Sequence, residues 1–259
     1  MYTHRPSFSS VLKTSSLTDP ADVVKVGIND ASVFKGFCAK HDARIFAPAE
    51  KAPLTKKGLV SLYVRALSLE YCRKRATLDY WRRLTETSNE FDLETYINDY
   101  TNFCALLYPA YFRSHPGEYF AFVVTRNLQI SCCGCFGALF RSLVAFNVVS
   151  YKDMTVIVLN TFKGHKQSLN AYLKPYERSQ NWSRLVNDLA FSKCEEPLIS
   201  PRSWKALTED QKHHVRLSLL PPDLRSGLPT PQIVKFSAGE VSRKLTPAIV
   251  SRLGVDLTP

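Results

Sequence analysis

The sequence predicts an α+β fold: long helices, then an antiparallel sheet of roughly four strands, then C-terminal helices. Three observations carry that prediction. Two segments between residues 54 and 112 repeat apolar residues at three- and four-residue steps, the period of a helix with one buried stripe. Four runs of β-branched and aromatic residues follow, and their short connections favour an antiparallel meander. Helical spacing then returns after residue 164, with cap residues in place.

Residues 1–35 are short pieces punctuated by Pro6, Pro20 and Gly27, with brief strands such as ADVVKV. From Cys38 to about Ala47 the pattern supports a short helix, ended by Pro48 and by Pro53 beyond it. LTKKGLVSLYVRALSLEYCRKRATLDYWRRL is the clearest helix. Thr55 can cap its start, and Leu59, Leu62, Tyr63, Ala66, Leu67, Glu70 and Tyr71 fall on one stripe. That stripe throws Arg73, Lys74 and Arg82 towards water; Glu70 at its edge is not explained by the pattern, and a buried pairing with an arginine is one way to accommodate it. FDLETYINDYTNFCALLYPAYF repeats the pattern through Leu93, Tyr96, Ile97, Tyr100, Phe103, Cys104 and Leu107, until Pro109 and Pro116 stop it.

The period then changes to that of strands in YFAFVVT, NLQISCC, LVAFNVVS and MTVIVLN. Helices are expected around HKQSLNAYL and NWSRLVNDLAF. A further one starts in SPRSWKALTEDQKHHVRLSLL, where Ser200 can cap and Pro201 suits the first helical position. The chain divides into an N-terminal segment (1–53), an α+β domain (54–218) and a Pro-rich extended tail (219–259) that would wrap the domain or a protein partner.

Composition narrows the function classes. A 45% hydrophobic fraction with 12% aromatics supports a packed core over the 259 residues. No run reaches the ~18 apolar residues of a membrane span. MYTHRPSFSSVLKTSS lacks the apolar stretch of a signal peptide, so a cytoplasmic location without membrane contact is expected. The seven cysteines are odd in number and three crowd at Cys132, Cys133 and Cys135, which suits reduced thiols better than a disulfide framework. The net charge is +11, and the excess is local. Lys56, Lys57, Arg65, Arg73, Lys74, Arg75, Arg82 and Arg83 face only Glu70 and Asp79 over residues 56–83. Such a field favours polyanions, DNA or RNA first; the plainer reading is a solvated helix face.

Two places could hold metal. Cys38-x2-His41 points a thiolate and an imidazole at one ion from a helix start, with Asp42 next to them. It supplies two of zinc's four ligands, and taken alone a buried cysteine beside a hydrogen-bonded histidine explains it better than a metal site does. In ISCCGCFG, Cys132, Cys133 and Cys135 could donate thiolates to a composite site with Cys38 and His41, since strand alternation puts Cys133 and Cys135 on one face; small buried residues of a sheet are the commoner case. His213 and His214 read as surface residues, and Trp81, Trp182 and Trp204 as packing. No Gly-rich phosphate loop, G-x-S-x-G elbow or H-E-x-x-H helix is present in the sequence.

The block GFCAKHDARIFAPAE, with Thr3-His4 before it and YVRALSLEY, ISCCGCFG and CEEPLISPRSWKALTEDQ after it, resembles an uncharacterised bacterial family over about residues 2–215. That family in turn is similar to treble-clef zinc modules and the HNH nucleases built on them. The resemblance implies a small treble-clef-like remnant over residues 1–53. Cys38 and His41 would be helix-side ligands of a structural zinc, Asp42 would hold a catalytic Mg²⁺ or other divalent ion, and His4, on the preceding hairpin, would be the general base. The family's upstream C-x2-C knuckle does not precede His4 here, so a zinc would lack half its ligands or has been dispensed with. Two expectations follow. One is a nucleic-acid-contacting protein, acting as an HNH-like metal-dependent phosphodiester hydrolase in defence against mobile elements, with Lys56, Arg73, Lys74 and Arg82 meeting phosphates. The other is a non-enzymatic protein- or nucleic-acid-binding module with a degenerate metal site.

Overall fold

A computed structural model describes residues 2–4, 23–25, 39–51, 53–85, 94, 97, 98, 100–102, 104, 105, 118–137, 143–162, 164–194, 197–219 and 229–242. Strands β1 (Tyr2–His4) and β2 (Val23–Lys25) pair antiparallel, followed by helices α1 (Ala39–Lys51) and α2 (Lys56–Thr85). Beyond α2, residues 94, 97, 98, 100–102, 104 and 105 are helical. The central strands are β3 (Glu118–Val124), β4 (Ile130–Phe136), β5 (Val144–Tyr151) and β6 (Met154–Thr161). Then come α3 (Lys166–Ser179), α4 (Trp182–Asp188) running into a π-turn (Leu189–Lys193), β7 (Leu198–Ile199), α5 (Pro201–Ala206), α6 (Glu209–Ser218) and β8 (Val241–Ser242).

The fold is α+β as the sequence indicates, and the four long runs form the four long strands. The sheet is wider than four, however. Short strands extend it to the order β2-β1-β7-β4-β5-β6-β3-β8, with every pair antiparallel. Nor is its centre the simple meander expected. β4, β5 and β6 follow one another as hairpins, but β3 lies beside β6, a Greek-key order. The cause lies in the connection Thr125–Gln129, which crosses the end of the β5–β6 hairpin instead of turning back. The Leu128 N–H donates to Thr155 Oγ1 (2.8 Å), that hydroxyl donates to the Arg126 carbonyl (3.1 Å), and Asn127 Nδ2 donates to the Lys152 carbonyl (3.0 Å).

Helices cover both faces of the sheet, which explains why all eight residues of β6 are buried and why its central run Val156–Leu159 is unbroken apolar sequence. On one face Phe122, Phe146, Ile157 and Leu159 pack under α3, α4 and the π-turn, against Leu169, Leu185 and Phe191. On the other, Val123, Met154, Val156 and Val158 meet Ala49 of α1 and Leu59 and Leu62 of α2, while Ala145 meets Ala66 and Leu67. Burying each such large side chain stabilises by about 1.5–3 kcal/mol, so packing holds these helices more than propensity does.

Local chemistry sets the helix ends. Thr55 Oγ1 accepts from the Gly58 N–H (3.1 Å) at the start of α2, and Ser200 Oγ accepts from the Ser203 N–H (3.1 Å) at the start of α5. Three boundaries differ from the sequence reading. Pro48 lies inside α1 rather than ending it, at the cost of the helix bond to the carbonyl of Arg44, an exposed residue. The segment after Ser200 forms two helices, because Thr208 and Gln211 build a capping box that starts α6 afresh. Residues 229–242, read as tail, belong to the fold: Asn187 on α4 grips the Ile233–Val234 backbone, and β8 pairs with β3.

Candidate nucleic-acid interface

Helices α1 and α2 pack along each other and form one outer layer of the molecule. Tyr151, at the β5–β6 hairpin, donates its hydroxyl to the Lys51 carbonyl and ties the end of α1 to the sheet. The inward residues of the layer are apolar, so the charges are left outside. Lys40, Arg44, Lys51, Lys56 and Lys57 are exposed on α1 and the first turn of α2, and Arg75, Arg82 and Arg83 towards its far end. Against these eight cations the described exposed carboxylates of the two helices are Asp42, Glu50 and Asp79.

The residues singled out from the sequence have different fates. His41 and Asp42 occupy the first turn of α1, both exposed. Cys38 lies outside the described residues, as does the side chain of His4; the His4 backbone pairs with Val23 in β1–β2. Lys56 is exposed at the start of α2. Arg82 sits loosely on Asp79 (3.8 Å) near its end. The 26 residue steps from Lys56 to Arg82 correspond to roughly 39 Å of helix. Arg73 and Lys74, by contrast, are half-buried and turned onto Glu70, at 4.0 and 3.6 Å. This answers why a glutamate stands on the apolar stripe: it is the counter-charge for two cations held against β4. Their role is partly structural, and the four basic positions do not form one patch.

The three clustered cysteines separate by strand alternation. Cys132 is buried on the α4 side, where a hydrogen bond links it to Cys194, and burial together with that bond raises its thiol pKa. Cys194 donates in turn to the Cys133 carbonyl (3.5 Å). Cys135 packs in the cluster of Tyr63, Ala66 and Leu67 under α2; burial and the Glu70 carboxylate raise its thiol pKa. Both thiols are therefore protonated at neutral pH and pack as small apolar groups. Among the described residues, no group of three His, Cys, Asp or Glu side chains is placed to hold a metal ion. Trp182 and Trp204 are buried as packing residues, and His213 is exposed, as the sequence indicated.

One feature has no counterpart in the sequence reading. A cleft of about 470 Å³ opens between the β3–β4 connection, the β7–α5 stretch and residues 233–235, and Arg126, Arg202 and Lys235 line it. Its walls come from three separate stretches of chain, so no linear motif announces it. The only local signal is the polar run Arg126–Asn127 ahead of a strand. Comparison of the chain with protein-family models, with curated proteins and with solved structures finds no match.

Proposed function

We propose that the protein contacts nucleic acid through the outer surface of the α1–α2 layer. The observation that supports this reading is the charge imbalance of that layer, eight exposed cations against three exposed carboxylates. Each phosphate neutralised by such a surface releases counterions, so affinity should fall steeply with salt. The test is fluorescence anisotropy of labelled DNA and RNA strands titrated at several salt concentrations. Binding by the wild type should weaken as salt rises, and Lys56→Glu combined with Arg82→Glu should cost about tenfold or more and flatten the salt slope. Indifference of binding to those reversals would refute the reading.

Hydrolysis is a second reading, favoured by chain order. An antiparallel strand pair carrying His4 precedes a helix whose first turn exposes His41 and Asp42, the sequence of parts that the HNH resemblance implies. In this reading His4 deprotonates water and Asp42 holds a divalent cation such as Mg²⁺, while Cys38 and His41 serve a structural zinc. His4→Ala and Asp42→Ala should then abolish metal-dependent cleavage of DNA or RNA while leaving the fold intact. Equal cleavage by variants and wild type would leave the binding reading alone.

A further inference from the structure

The cleft at the sheet end is built from donors. Arg126, Arg202 and Lys235 contribute cations, Gln129 and Ser203 contribute neutral polar groups, and among the described residues no Asp or Glu lines it. The Arg126 guanidinium is already engaged by Glu240 at 3.1 Å, just outside the lining, so that carboxylate offsets its charge. Arg202 and Lys235 differ: both are exposed, and among the described residues neither has an ion-pair partner. Gln129 is held in the left-handed region at φ 57°. Its Oε1 accepts from the hydroxyls of Ser200 (2.7 Å) and Ser203 (3.1 Å), which leaves its Nε2 as a donor with no protein acceptor among the described residues. Beneath these groups the floor is apolar, formed by Phe191, Ile199 and Val234.

We propose that this cleft binds the phosphate of a nucleotide. Arg202 and Lys235 meet the phosphate oxygens, the Gln129 amide donates to one of them, and the sugar or base lies over the apolar floor. Two cations with no ion-pair partner among the described residues, set in a concave wall, concentrate field on a small anion. A volume of about 470 Å³ exceeds what inorganic phosphate needs and suits a ligand with a second, flat part. The nucleotide is either free or the phosphorylated end of a strand, and only the second source rests on the nucleic-acid reading above. β1, which carries His4, pairs with β7 at Tyr2–Ile199, and Ile199 is part of the cleft floor, so a strand end held here lies next to the strand that bears His4.

The experiment compares an internally labelled short strand with phosphate at both ends, the same strand with hydroxyl ends, and a circular strand. A nucleoside monophosphate serves as competitor. The phosphorylated strand should bind about tenfold more tightly than the other two. Arg202→Ala combined with Lys235→Ala should erase that preference while leaving the melting temperature unchanged. Competition by the nucleoside monophosphate in the wild type and not in the variant identifies a free-nucleotide site, and a preference without such competition identifies a strand-end site. Equal binding of all three strands with no competition overturns the cleft assignment and leaves the α1–α2 interface standing. A preference that survives in the double variant also overturns it. Absence of binding by every strand and by the monophosphate removes both proposals.

Discussion

Asn187 and Asn147 are both fully enclosed, one on each side of the sheet, and they use their hydrogen-bonding capacity differently. Asn187, on α4, donates to the carbonyls of Ser183 (2.8 Å) and Val234 (2.7 Å) and accepts from the N–H groups of Ile233 (2.9 Å) and Val234 (2.8 Å). Asn147, on β5 under α2, donates to the Leu62 carbonyl (3.0 Å), and its Oδ1 has no partner among the described residues. Tyr63 and Ser68, on α2, likewise bury hydroxyls without a partner among the described residues, and burial raises the Tyr63 phenol pKa. The far side has a lesser case in the Tyr172 hydroxyl, whose pKa is pushed up to about 12 by burial. The lesson is one of division. The α3–α4 side uses a saturated polar group to fasten a strap of chain, whereas the α1–α2 side leaves polar capacity unused beneath the layer that carries the charge.

The sharpest way to break this comparison is Asn187→Ala. It orphans two backbone donors and one acceptor in a dry site, and a buried unsatisfied group costs on the order of 1–3 kcal/mol. Destabilisation of about 3 kcal/mol is expected in urea unfolding. A loss well under 1 kcal/mol would mean that residues 229–242 are not fastened there.

Asn147→Val should do far less. The Leu62 carbonyl keeps its place in the α2 ladder, and the substitution removes the uncompensated Oδ1. A change within about 1 kcal/mol of wild type, of either sign, is expected in the same measurement. A loss as large as that of Asn187→Ala would show that the Oδ1 is satisfied by an enclosed water, and the contrast between the two sides would disappear.

The same division explains what could be read from the sequence. The long strands were legible because a sheet buried on both faces needs unbroken β-branched runs, and α2 because one stripe of it must be apolar. Caps at Thr55 and Ser200 were legible because they are local. Strand order was not: the position of β3 beside β6 depends on bonds from residues 126–128 to the turn around Lys152, and nothing local to either stretch encodes them. Wrapping of the domain was one of the two roles expected of the Pro-rich tail, but where the strap is anchored was hidden for a similar reason. PQIVKF has too few apolar residues to read as an element, and a single asparagine some 46 residues away anchors it. Of the candidate interface, the cation count was legible, but the turning of Arg73 and Lys74 onto Glu70 was not. Spacing places them on the water side, and it is the proximity of β4 that folds them back.

At the outer end of the strap the effects should be smallest and pH-dependent. Glu240 accepts from the Ser237 N–H (2.8 Å) and hydroxyl (3.1 Å) and pairs with Arg126. The Ser237 backbone bond, then its hydroxyl and the Arg126 charge, hold the Glu240 carboxyl below its usual pKa. A carboxyl whose folded pKa is depressed stabilises the fold above its unfolded pKa, and that contribution disappears as pH falls through the folded value. Glu240→Gln should therefore lower the melting temperature by only about 1–2 °C at pH 7, and the two proteins should converge once the pH has fallen through the depressed Glu240 pKa. Added salt should narrow the pH 7 difference, because Arg126 and Glu240 are both open to solvent. A difference that persists unchanged at low pH would show that the glutamate acts through shape rather than charge, and would make the strap's outer end as rigidly fixed as its anchor at Asn187.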